Sequence, residues 1–322
     1  MMRRILLIQI EFGDMRFILP TVLLSLAATS AFARTEAPAP ENVPLSQCEE
    51  FLKGMSLLTP AKDYAVRDIP DGCVVSNSIY HTMQLMGWTI ERAILEVDRF
   101  QDYLSEAPDL NKTVPQWGRI AVDGMRMTIN SGSKVSDYIT SIQQWPIDFS
   151  ASYRFNPKNG YLHIQNAEIN STKMGKASVS AEINLPVDST VGSLTANPSA
   201  TLSHLRIRLD NQGLWESLAL PLLANYAALP TETGESDPEV DIARLRVIVS
   251  KSVEAMPDNQ IDASSRKSLL RFVQDMPHPN GFFTLDLHFD KPMPIGLDDL
   301  EPSKLADHAL TGAKMTVTYR AR

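Results

Sequence analysis

Residues 147–169 read IDFSASYRFNPKNGYLHIQNAEI, and the class of fold turns on this stretch. From Ile147 to Phe155 apolar and polar residues alternate, Pro157, Lys158, Asn159 and Gly160 interrupt them, and alternation resumes from Tyr161 to Ile169. A period of two places successive side chains on opposite faces of an extended strand, and Asn-Gly tolerates the positive φ of a tight turn. The stretch predicts an antiparallel hairpin.

Similar segments lie on both sides of it. Trp117–Ile129 reads as a strand with Gly124 as a bulge, Val74–Met83 as another, and Ala177–Leu185 and Leu202–Leu209 as two more. Trp88–Val97 carries apolar residues at both helical and alternating spacing, and the strand reading is preferred. Asn280-Gly281 opens a strand Phe282–Phe289, and Lys314–Tyr319 forms a last one. Helical spacing appears at Gln47–Leu58, Ser136–Gln144, Leu214–Tyr226 (interrupted by Pro221), Val240–Val253 and Ser264–Asp275. The expected fold class is therefore α+β: an antiparallel, curved sheet with several helices packed on one face.

The first 33 residues predict export. Arg16 precedes the apolar run Phe17–Ala28, and Ala31-Phe32-Ala33 supplies the small-x-small pattern of a cleavage site. Glu11 and Asp14 are out of place in such a leader, so Met15 is an alternative start. An uncleaved anchor helix is the rival reading, opposed by the cleavage pattern and by Pro20. Residues 34–46 are rich in Pro and Ala and read as a flexible linker, which leaves 47–322 as the folded part, in one domain or two subdomains. The expected location is the periplasm, with no stable transmembrane anchor after cleavage.

In such an oxidising compartment the chain's two cysteines, Cys48 and Cys73, predict a disulfide. No Cys-x-x-Cys motif points to redox or zinc chemistry, and Leu45-Ser46-Gln47-Cys48 is a poor lipobox. A net charge of −8 with scattered Lys and Arg argues against nucleic acid as a partner.

Catalytic signatures are weak. Asp286, His288 and Asp290 fall on one face of a strand and can be imagined as metal ligands or a hydrolase site, but an amphipathic strand with Phe283, Leu285, Leu287 and Phe289 in the core accounts for the same spacing. Gly-x-Ser-x-Gly, Walker and Gly-x-Gly-x-x-Gly patterns are missing, and the two Ser-x-x-Lys matches, at Ser131 and Ser264, lack accompanying motifs. No catalytic residue, metal or cofactor is expected. Apolar surface remains. Leu214, Trp215, Leu218, Leu222, Leu223 and Tyr226 line one side of a segment with Glu216 as its one charge, and they read either as the wall of a ligand groove or as a core helix. Met83, Met86, Met125 and Met127 fit an adaptable pocket or a core equally well.

The region Ile147–Leu229, with its hairpin around Asn159-Gly160, the passage LRIRLDNQGL at 205–214 and the late strand Phe282–Leu297 containing Pro292 and Pro294, resembles AsmA-like and related uncharacterised bacterial envelope proteins. The resemblance implies a curved sheet, lipid handling and envelope maintenance, and it brings no catalytic residues. The expected function is non-catalytic binding of a lipid-like ligand. The alternatives are a structural or assembly factor that binds another envelope protein, and a hydrolase.

Overall fold

Gly160 turns the central hairpin with a φ of +70°, and a Cβ there would meet the Leu185 carbonyl oxygen at 2.0 Å. The loop is fastened by its asparagines: Asn156 Oδ1 accepts from Lys158 N–H at 3.0 Å and Asn159 Oδ1 from Tyr161 N–H at 3.1 Å. The computed structural model describes residues 46–53, 58–81, 86–103, 113–129, 145–187, 189–190, 200–219, 238–295 and 312–322.

The strands in chain order are β1 (Leu58–Ile69), β2 (Gly72–His81), β3 (Met86–Val97), β4 (Trp117–Ile129), β5 (Ile147–Asn156), β6 (Tyr161–Ser171), β7 (Gly175–Asn184), β8 (Ala200–Asn211), β9 (Gly281–Ile295) and β10 (Ala313–Ala321). They form one ten-stranded sheet in the order β1 to β10, and each strand is antiparallel to its neighbours. Register shifts interrupt the ladder at Val122/Met125, Ser152/Tyr153, Ile164/Ala167, Glu182/Ile183 and Leu202/His204. Each bulge bends its strand and adds twist, which lets so many strands coil rather than lie flat. Gly124 sits in the first of these with φ +64°, the role expected of it.

The helices are α1 (Gln47–Lys53), α2 (Pro238–Ala255) and α3 (Ala263–Gln274). The α+β expectation, with several helices packed on one face, is overturned by this arrangement. The described residues form mainly a single antiparallel meander; α3 lies against β10, α2 packs on α3, and α1 touches β1 and β2 at the opposite end. Strands account for the order because every one is bonded to its chain neighbours, so no helical layer is needed to join them. β1 was not expected: the helix predicted to Leu58 stops at Lys53, and a strand broken by Pro60 and a bulge before Ala65 follows. Those breaks suit an edge strand, where one side has no ladder to satisfy. The predicted helix Ser136–Gln144, the leader and the linker up to residue 45 lie outside the described residues.

The main core is centred between β8–β10 and the helices and extends along the sheet through Ala181 of β7 to Phe155 of β5. Phe272 of α3 stacks on Phe283 at 4.3 Å between ring centroids and meets Tyr319 (5.3 Å) and Trp215 (5.0 Å) edge-on. Met256, Ile261, Val273 and Met276 close the same cluster. Helix α3 begins cleanly, because the Asp262 carboxylate accepts from the Ser264 and Ser265 amides at 2.8 Å each. The β10 edge is covered where Met315 N–H donates to the Gln260 carbonyl and Val317 N–H to Ser265 Oγ. A second, smaller cluster gathers Cys48, Cys73, Val75 and Phe100, with Phe51 against Phe100 at 5.2 Å. Cys48 and Cys73 are joined as a disulfide, with Cα atoms 5.2 Å apart.

Candidate functional site

Directly paired residues of an antiparallel ladder share a face, so the register converts a list of strands into rows of neighbours. On the face that carries α3, one row runs Val66, Val75, Ala93, Val122, Phe149, Ile169, Ala177, Leu209, Phe283, Tyr319 across all ten strands. A second runs Cys73, Leu95, Ile120, Ala151, Ala167, Val179, Ile207, Leu285, Val317. Both rows are apolar from end to end.

Along the rows burial varies rather than stepping at one strand. Leu209, Phe283, Tyr319 and Val317 over β8–β10 are buried, as are Val122 and Ala151 on β4 and β5, whereas Ile120, Phe149, Ile169, Val179, Ile207 and Leu285 are half-buried. The two rows make a broad apolar face continuous with the protein's own core.

The opposite face is polar. Its clearest row is Trp117, Arg154, His163, Glu182, His204, His288, Lys314. Beside it Asp286 receives His204 Nε2 at 2.7 Å and is gripped by the Arg206 guanidinium. Burial works to raise the Asp286 pKa, but the hydrogen bonds and charges of His204 and Arg206 outweigh it and hold the carboxyl below its ordinary value. The Tyr161 hydroxyl is pushed the other way, by burial first and then by the charge and hydrogen bond of Glu182.

The predicted site residues fall unevenly on this plan. Leu214 is buried and Trp215 packs on Phe272, so both belong to the core cluster. Leu218 lies within the short π-helical turn Trp215–Ala219, whereas Leu222, Leu223 and Tyr226 lie outside the described residues. Met125 and Met127 are half-buried on β4, and Met83 is outside the described residues. Asp286 and His288 do share a face, yet Asp286 is occupied by an imidazole and a guanidinium, an arrangement that makes an ion-pair centre rather than a free base. Among the described residues no group of three or more His, Cys, Asp and Glu is placed to hold a metal ion. No described helix is long and apolar enough to cross a membrane.

Sequence reasoning missed the apolar rows and the polar row. Their members sit at alternate positions of strands that were expected, but nothing local shows that Ala93 faces Val122 or that Arg154 faces His163. No model of a known protein family matches the chain, and no curated protein matches it.

Proposed function

We propose that the protein is a non-catalytic carrier or sink for a lipid-like molecule, whose acyl part lies on the apolar face of β3–β7. The observation that carries this reading is the pair of apolar rows that cross the sheet on one face and stay half-buried at Ile120, Phe149, Ile169 and Val179 over β4–β7. An apolar surface that continues a core and is not fully covered suits an acyl chain, which asks only for contact and exclusion of water. The likeness to AsmA-like envelope proteins and the apolar leader Phe17–Ala33 support action outside the cytosol, where the Cys48–Cys73 bridge is stable.

Protein purified from its native compartment should release acyl-bearing species into organic solvent in near-stoichiometric amounts, read by mass spectrometry. Ile120→Asn and Val179→Asn, which place an amide on this apolar face, should lower that yield about tenfold through the desolvation of an unpaired polar group. Lipid-free extracts, together with no uptake of a fluorescent fatty acid by the refolded chain, would refute the proposal.

A second reading, an assembly factor for another envelope protein, is favoured by one feature. Helix α2 leaves Val240, Val247 and Ile248 exposed at 51%, 52% and 44%. Crosslinking from these positions in envelope fractions to a single stoichiometric partner, with extracts free of lipid, would select it over the first.

A further inference from the structure

Where the polar row reaches β4–β6, the sheet carries a half-open cleft of about 570 Å³ lined by Gln116, Trp117, Arg154, Phe155, Asn156, Tyr161 and His163. We infer that this cleft binds an acidic saccharide, with a pyranose ring against Trp117 and Tyr161 and its carboxylate or phosphate on the Arg154 guanidinium. The site lies on the face opposite the apolar rows, because Trp117, Arg154 and His163 are register partners in a row that alternates with Tyr153 and Leu162, which pack against the main core.

Three features of the cleft converge on this assignment. The volume falls within the range of about 300–1,000 Å³ typical of small-molecule sites. The ring-bearing groups come from β6 and β4, with Tyr161 and His163 tilted at 37° and 6.3 Å apart and Trp117 two strands' width away across Arg154 on the same face, so rings line the cavity on both sides of the guanidinium. The cation is uncommitted: Arg119, Arg126 and Arg206 on the same sheet pair with Glu96, Glu91 and Asp286, whereas Arg154 makes no ion pair or side-chain hydrogen bond among the described residues. A guanidinium left free at the mouth of a cleft presents a fork of donors that matches a carboxylate or phosphate.

The rest of the lining decides between kinds of anion. Gln116 offers an amide with both donor and acceptor, Asn156 offers its amide N–H groups while its oxygen holds the turn through Lys158 N–H, and His163 adds a ring nitrogen, which together suit a rim of hydroxyl groups. Glu182, next to His163 in the row and beside the Tyr161 hydroxyl, sets a carboxylate at the β7 border of the cleft. That charge tolerates a ligand with one anionic group and opposes a polyphosphate. A ring with apolar faces, hydroxyl edges and a single acid is a uronic acid or a sugar monophosphate.

Titration calorimetry of the full chain tests this with glucuronate and a hexose monophosphate as ligands. Glucose supplies the ring without the charge, inorganic phosphate the charge without the ring, and para-hydroxybenzoate an aromatic acid. At least one acidic sugar should bind about tenfold more tightly than glucose or inorganic phosphate, and which one does so identifies the anion. Arg154→Met should bring the affinity down to that for glucose, with Arg154→Lys recovering part of it. Trp117→Ala should weaken binding about tenfold while Trp117→Phe keeps most of it, all with unchanged circular dichroism. The inference is overturned if neither acidic sugar binds, if inorganic phosphate binds equally well, if para-hydroxybenzoate binds more tightly, or if Arg154→Met is without effect.

Discussion

The Cys48–Cys73 bridge offers the sharpest test of how the N-terminal strands are held. It spans a sequence separation of 25 residues, and closing a loop of that length removes about 3.5 kcal/mol of unfolded-chain entropy at room temperature in the loop-closure relation. Both half-cystines are essentially buried, at 0% and 2% exposure, so replacing them with serine would add the separate cost of buried hydroxyls. The cleaner perturbation is wild-type protein with and without reductant, accompanied by Cys48→Ala/Cys73→Ala. With an m-value of about 3 kcal/mol per molar urea, a loss of 3.5 kcal/mol moves the unfolding midpoint down by about 1 M. The small cluster of Cys48, Val75 and Phe100 is separate from the main core, so the effect should start locally. Amide exchange in α1 should accelerate before that in β8–β10, since α1 is otherwise tied to the sheet chiefly by the Gln47 and Cys48 amides on Asp68 and by Phe51 on Phe100. A midpoint that moves by less than about 0.3 M in fully reduced protein would refute the claim that the bridge is the principal clip of this end.

Three further outcomes follow from the geometry. Phe272→Ala removes the ring shared by Trp215, Phe283 and Tyr319 and should cost about 3–5 kcal/mol in urea unfolding, against about 1–2 kcal/mol for Phe272→Leu. Gly175→Ala places a Cβ 2.0 Å from the Asp210 carbonyl oxygen at a φ of +99°, and should destabilise by roughly 2–3 kcal/mol, read as a lowered melting temperature. Asp262 has its pKa lowered from 3.8 to about 2 by the hydroxyls and amides of Ser264 and Ser265, so its contribution to folding is complete above 3.8 and is lost as the pH falls through about 2. Asp262→Asn should flatten that part of the acid-unfolding profile while leaving an acceptor for the helix; an unchanged profile would show that the cap does not titrate there.

Local pattern carried much of the strand assignment. The hairpin at Asn159-Gly160, the Gly124 bulge and the strands Trp88–Val97 and Leu202–Leu209 were legible because side-chain period and turn chemistry act within a few residues. β1 was not legible, because Pro60, Lys62 and Asp63 break its alternation and its pairing with β2 alone supplies its order. β9 runs past the predicted Phe289 through Pro292 and Pro294 to Ile295; β10 pairs with it only as far as Phe289, so those prolines leave no ladder bond unmade on that side. The helix layer was overestimated for a related reason: apolar spacing marks a helix, but whether helices cover a sheet depends on where the sheet's edges fall.

By itself the sequence determined that the chain folds around alternating, hairpin-linked strands, and that its cysteines, in an oxidising compartment, would pair. It also divided each strand's residues into two faces. Only the tertiary structure decided which residues become neighbours across strands, and hence that one face carries continuous apolar rows while the other aligns Trp117, Arg154 and His163 beside a cleft. The physical reason is that alternation is set by the geometry of a single strand, whereas register is set by the bulges and pairings of all ten at once.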